Sequence, residues 1–125
     1  MTLSRVLIAN RGEIAIRIAR AAEELGVGSV AIYAADDARS LHVRRAGEAR
    51  ALEGRGPSAY LDGEQIVAVA LDAGCDAVHP GYGFLSENAG FARRCAEAGM
   101  TFVGPRPDIL ELFGDKGRGR ALAAR

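Results

Sequence analysis

Three joints constrain this chain more than any other feature. Glu24-Leu25-Gly26-Val27 stands before the apolar run 29–33, Asp72-Ala73-Gly74-Cys75 before Ala77–His79, and Glu97-Ala98-Gly99-Met100 before 101–103. Each reads as a helix end, a glycine, one apolar residue and a strand. A glycine just past a helix end accepts the left-handed backbone, and the apolar residue after it packs back on the last turn. Repeated helix-to-strand joints of this kind are what an open parallel sheet requires.

The remaining elements agree. Arg5-Val6-Leu7-Ile8-Ala9 reads as a first strand with no leader before it. Residues 12–25 carry Ile14, Ile18, Ala22 and Leu25 on one helical face. Asp62 suits the cap of a helix that turns Ile66, Val67, Ala70 and Leu71 to the sheet. Asn88 or Ser86 suits the cap of another, with Phe91, Ala92 and Cys95 inward. Residues 49–52 form a weaker strand, 36–46 a short helix, and Gly54-Arg55-Gly56-Pro57 a loop. Phe102 and Val103 belong with Phe91, Ile66, Val67 and Leu71 in the core. The fold class is α/β: a Rossmann-like open sheet of about five parallel strands with helices on both faces.

With 125 residues, 49% of them hydrophobic, the chain can build one domain with a core. Its 16 basic and 16 acidic residues leave no charge excess to attract nucleic acid or an anionic membrane. No apolar stretch is long enough to span a bilayer. Cys75 and Cys95 form no Cys-x-x-Cys pair and read as buried thiols of a reducing compartment, hence a cytoplasmic protein. Asp115 reads as an N-cap, and 116–125 starts a helix with no closing glycine or proline. The sequence therefore predicts a domain over 1–113, a connection beginning at 114–125, and a longer polypeptide.

In such sheets ligands bind beyond the carboxyl ends of the strands, where strand order switches. Two loops stand at such ends. Asn10-Arg11-Gly12-Glu13 opens the first helix, whose N–H groups suit an anion. His79-Pro80-Gly81-Tyr82-Gly83-Phe84-Leu85-Ser86-Glu87-Asn88 follows the fourth strand. The loops share a crevice if strands one and four are neighbours. The Gly-x-Gly-x-x-Gly and Walker A patterns are missing, which disfavours a dinucleotide site. His79 reads as structural, His42 as isolated, and no ligand-spaced cluster marks a metal site.

Ile8-Ala9-Asn10-Arg11-Gly12-Glu13-Ile14-Ala15, the run 79–88, Phe102-Val103-Gly104-Pro105 and Gly114-Asp115-Lys116 occur in the order and spacing of one family. Together they resemble the N-terminal domain of biotin carboxylase, the pre-ATP-grasp domain shared by biotin-dependent acyl-CoA carboxylases, pyruvate carboxylase and urea carboxylase. The resemblance implies that ATP with Mg²⁺ activates bicarbonate as carboxyphosphate, and that the carboxyl group passes to N1 of biotin on a carrier protein or domain. A carboxyltransferase would then deliver it to a final acceptor, with an acyl-CoA carboxylase the expected setting. It also implies that the catalytic groups and metal-binding glutamates lie in later domains, so this part alone should be inactive.

By the same resemblance Lys116 contacts the nucleotide, while Arg17, Tyr82, Gly83 and Glu87 face the biotin and bicarbonate side. Arg20 and Glu24 would reach a homodimer partner. Glu13, Arg17, Arg20 and Glu24 also form a single stripe by spacing, equally readable as a solvated face with internal ion pairs. Glu87 could act instead in the first turn of its helix. Gly47 stands where the family usually has Asp, and Gly117 and Gly119 weaken the helix after Lys116. The alternatives are another ATP-grasp ligase, such as the large chain of carbamoyl-phosphate synthase, and a non-catalytic binding or dimerisation remnant.

Overall fold

The computed structural model describes residues 3–104. Within them lies one sheet of five parallel strands: β1 (Arg5–Ile8), β2 (Gly28–Tyr33), β3 (Glu48–Ala51), β4 (Ala77–His79) and β5 (Thr101–Phe102), in the order β3-β2-β1-β4-β5. The helices are α1 (Gly12–Glu24), α2 (Leu41–Arg45), α3 (Gly63–Asp72) and α4 (Ala89–Glu97). Strand order reverses at β1, which pairs with β2 on one side and β4 on the other.

Alternation along the strands sorts the core. Leu7, Val30, Ile32 and Val78 pack with Ile66, Val67, Ala70, Phe91 and Cys95 from α3 and α4. On the opposite face Val6 and Ala77 meet Ala22, and Ile8 meets Ala15 and Ala19. Successive residues of a strand point to opposite faces, so a strand covered on both sides is apolar throughout.

The three glycine joints behave as expected. Gly26, Gly74 and Gly99 all have positive φ. The residue after each donates back five positions into its helix, as in Val27 N–H to Ala22 O at 2.8 Å. Asp62 and Asn88 cap α3 and α4, accepting from Gln65 and Phe91 N–H respectively. Cys75 and Cys95 are free and buried, and burial pushes the Cys95 thiol up to about 11.

Several expectations are corrected. The side chains α1 buries most completely are Ala15, Ala19 and Ala22, not Ile14, Ile18 and Leu25; Leu25 is 78% exposed. Small residues let the helix lie close to the sheet, and the larger aliphatics flank that contact. Leu71 is 51% exposed rather than in the core, because it sits in the last turn of α3, beyond the stripe of Ile66, Val67 and Ala70. Phe102 and Val103 are half-buried and pack against the two cores. The segment 36–46 is a 3₁₀ turn (Ala35–Asp37) followed by α2, and a further 3₁₀ turn (Pro57–Leu61) follows the 54–57 loop. Gly47 has a local reason: a Cβ there would stand 3.2 Å from Ser29 O, while its N–H donates to Ser29 Oγ. No helix among the described residues is long and apolar enough to cross a membrane.

Candidate functional site

The pairing of β1 with β4 brings the two strand-end loops together. Asn10 is buried between them. Its Nδ2 donates to Pro80 O and Tyr82 O, both at 2.7 Å, and its Oδ1 accepts Arg11 N–H at 2.8 Å. Backbone continues the contact, with Ala9 N–H donating to His79 O at 2.9 Å. Arg11 occupies the N-cap position of α1 without a side-chain cap, which leaves the first N–H groups of that helix free of one.

The 79–88 loop is anchored on both sides. His79 Nδ1 accepts Gly81 N–H at 3.1 Å, and burial holds the imidazole pKa below its ordinary value. Phe84 takes a positive φ of 47°, uncommon outside glycine. Its ring packs on Tyr60, centroids 5.4 Å apart. Leu85 is buried beyond it. Tyr82 faces the other way and is 79% exposed. It borders an apolar groove of about 620 Å³ together with His79, Gly81, Ile14, Ile18 and Arg17.

The sequence-derived site residues divide accordingly. Arg17 and Tyr82 line one groove, and Gly83 (φ 70°) follows Tyr82 on the same loop. Arg20 and Glu24 are exposed on α1, and no ion pair forms within the Glu13–Arg17–Arg20–Glu24 stripe among the described residues. Glu87 is exposed and precedes the cap Asn88, so it lies outside the first turn of α4. Lys116 lies outside the described residues, as do Gly117 and Gly119.

Sequence reasoning missed a network at the ends of β1 and β2. Arg11 makes a two-pronged contact with Asp37, Nε to Oδ2 at 2.8 Å and Nη2 to Oδ1 at 2.6 Å. Buried Tyr60 donates its hydroxyl to Asp37 Oδ2 at 2.6 Å and accepts Ala34 N–H at 3.1 Å. The Arg11 guanidinium holds the Asp37 carboxyl below the usual carboxylate range, and burial pushes the Tyr60 hydroxyl up to about 12. Arg11 is therefore committed to an internal carboxylate rather than free for an anionic ligand. The one local signal was that Asp37 follows a strand end; nothing in its spacing points to Tyr60. Among the described residues no cluster of three His, Cys, Asp or Glu could hold a metal.

Residues 2–110 match the family described as the N-terminal domain of biotin carboxylase. The chain belongs to that family. A solved biotin carboxylase domain of a single-chain bacterial carboxylase is 66% identical, with a TM-score of 0.94 over 98% of this chain and 29% of its own. A single-chain, multi-domain long-chain acyl-CoA carboxylase is 56% identical, with a TM-score of 0.95 over 97% of this chain and 12% of its own. The pyruvate carboxylase of Staphylococcus aureus strain Mu50 is 52% identical over 98% of this chain and 11% of its own. The chain thus spans less than a third of the length of these relatives. The five-stranded parallel sheet is the fold of this family's N-terminal domain.

Proposed function

We propose that this chain supplies the biotin-side wall of a biotin carboxylase, an ATP-grasp ligase that carboxylates carrier-borne biotin with bicarbonate, in the setting of an acyl-CoA carboxylase. The observation that carries the proposal is the junction of the two strand-end loops at the switch in strand order, with Tyr82 presented outward on a groove that Arg17 also lines. An exposed aromatic ring offers a flat apolar surface, and a cation on the same groove suits a ureido oxygen or a bicarbonate anion. These residues fit biotin. Among the described residues no group of three His, Cys, Asp or Glu could hold a metal. The nucleotide is assigned to Lys116 and to parts beyond this chain. Gly83 gives the loop a backbone that a substrate can approach, while Arg20 and Glu24 are left for a subunit partner. The carrier and carboxyltransferase are the expected partners, and the family supports this reading over a carbamoyl-phosphate synthase.

A domain exchange tests it. This chain would replace the matching domain of a single-chain bacterial carboxylase, and phosphate release from ATP would be followed with free biotin and bicarbonate. The chimera should show hydrolysis that requires both. Lys116→Ala should weaken nucleotide binding about tenfold, the loss of one charge-assisted contact. A folded chimera with no biotin-dependent hydrolysis would overturn the proposal, and unchanged nucleotide affinity would remove Lys116 from the site.

A further inference from the structure

One side chain joins the two loops. Asn10 is 1% exposed, and its amide is fully engaged. Both Nδ2 hydrogens go to carbonyls of the partner loop, Pro80 O and Tyr82 O, while Oδ1 takes Arg11 N–H. Gly81 lies between those two carbonyls with φ 65°. A Cβ on Gly81 would stand 2.6 Å from Ile14 Cγ2 and 3.0 Å from Asn10 Nδ2. The backbone 80–82 is therefore wrapped around the amide with no room for a side chain at its middle residue. Tyr82 itself is 79% exposed and has no aromatic partner among the described residues. Its place is set by its backbone, which Asn10 holds at both Pro80 O and Tyr82 O alongside the His79 contact to Gly81 N–H.

We infer that Asn10 is a positioning residue for the biotin side of the site, acting through the carbonyls of Pro80 and Tyr82 to set where the Tyr82 ring and Gly83 backbone stand. What the loop meets rests on the function proposed above; how the loop is held does not. Aspartate has the shape of asparagine but not its NH₂ group. At this buried position a carboxylate would face two carbonyl oxygens, with nothing to donate to them. The substitution thus removes the clasp without removing volume.

The test uses the chimeric carboxylase, with free biotin as the substrate. Asn10→Asp should lower kcat/KM for biotin about a hundredfold, the scale of a misplacement of about 1 Å, and leave ATP affinity unchanged. Tyr82→Ala should cost little further in that background, a non-additive pair. Gly81→Ala keeps the amide but drives the same loop off Ile14. It should reproduce the split between biotin and ATP, and it serves if Asn10→Asp does not fold. Additive effects of Asn10 and Tyr82, or equal losses for biotin and ATP, would overturn the inference. Amide hydrogen exchange at residues 81–84 provides a reading independent of activity: exchange faster in Asn10→Asp supports the clasp, and unchanged exchange overturns it. A parent chimera without biotin-dependent hydrolysis would sink the proposed function alone.

Discussion

His79 closes β4 and takes the Gly81 N–H on Nδ1. Only a neutral ring can accept there, and burial also resists its charging. The native pKa is thus lowered from the unfolded value of about 6.5. Above that value the native and unfolded rings are both neutral, and the contribution to stability is full. As pH falls below it the unfolded chain takes up a proton that the native ring resists, and stability declines until the lower native pKa is passed. The thermal midpoint should therefore begin to drop as pH falls through about 6.5. In His79→Asn, which keeps an acceptor but cannot titrate, the same scan should be flatter. Equal slopes in the two proteins would place the titration elsewhere. The sequence marked His79 as structural, and its contacts support that reading. The bond between Tyr60 and Asp37 was invisible to it, because it spans 23 residues and follows no periodic pattern.

In α4 the cap separates two readings of adjacent residues. Asn88 Oδ1 accepts Phe91 N–H at 2.8 Å, whereas Glu87 stands before the cap. Asn88→Ala should lower stability by about 1 kcal/mol. Glu87→Ala should change it by less than about 0.5 kcal/mol. Denaturant titration of both variants checks the pair, and a larger loss at Glu87 would return it to a structural role. The two caps were legible because a cap acts within three residues of itself. The buried side of α1 was legible only at Ala22. Its large apolar residues dominate the periodicity, yet the sheet accepts Ala15, Ala19 and Ala22. Which stripe meets the strands depends on how close the helix can come, and local sequence does not record that distance.

Two leucines measure where the core of the molecule ends. Leu7 lies in the central strand and is fully buried, whereas Leu25 borders the groove and is 78% exposed. Leu7→Ala should cost about 2–5 kcal/mol through lost burial and the cavity left behind. Leu25→Ala should stay within about 0.5 kcal/mol. Urea unfolding of the two variants decides, and comparable losses would mean that Leu25 is packed after all. The groove beside Leu25 continues past Ile14, Ile18 and Arg17 to Tyr82, so larger residues of the face that sequence periodicity assigned to packing also border a groove that reaches Tyr82.

Read alone, the chain carries its strands, its glycine joints, its caps, the 79–88 loop and the family resemblance. Each element is written within a few consecutive residues, where backbone conformation and capping act, and the resemblance in the order of several such runs. Folding decided that β1 lies against β4, that Asn10 reaches carbonyls 70 and 72 residues away, and that Arg11 is bound to Asp37 rather than left for a ligand. Those contacts follow from strand order, and a buried amide or guanidinium finds its partner only once the sheet has brought distant loops to the same edge.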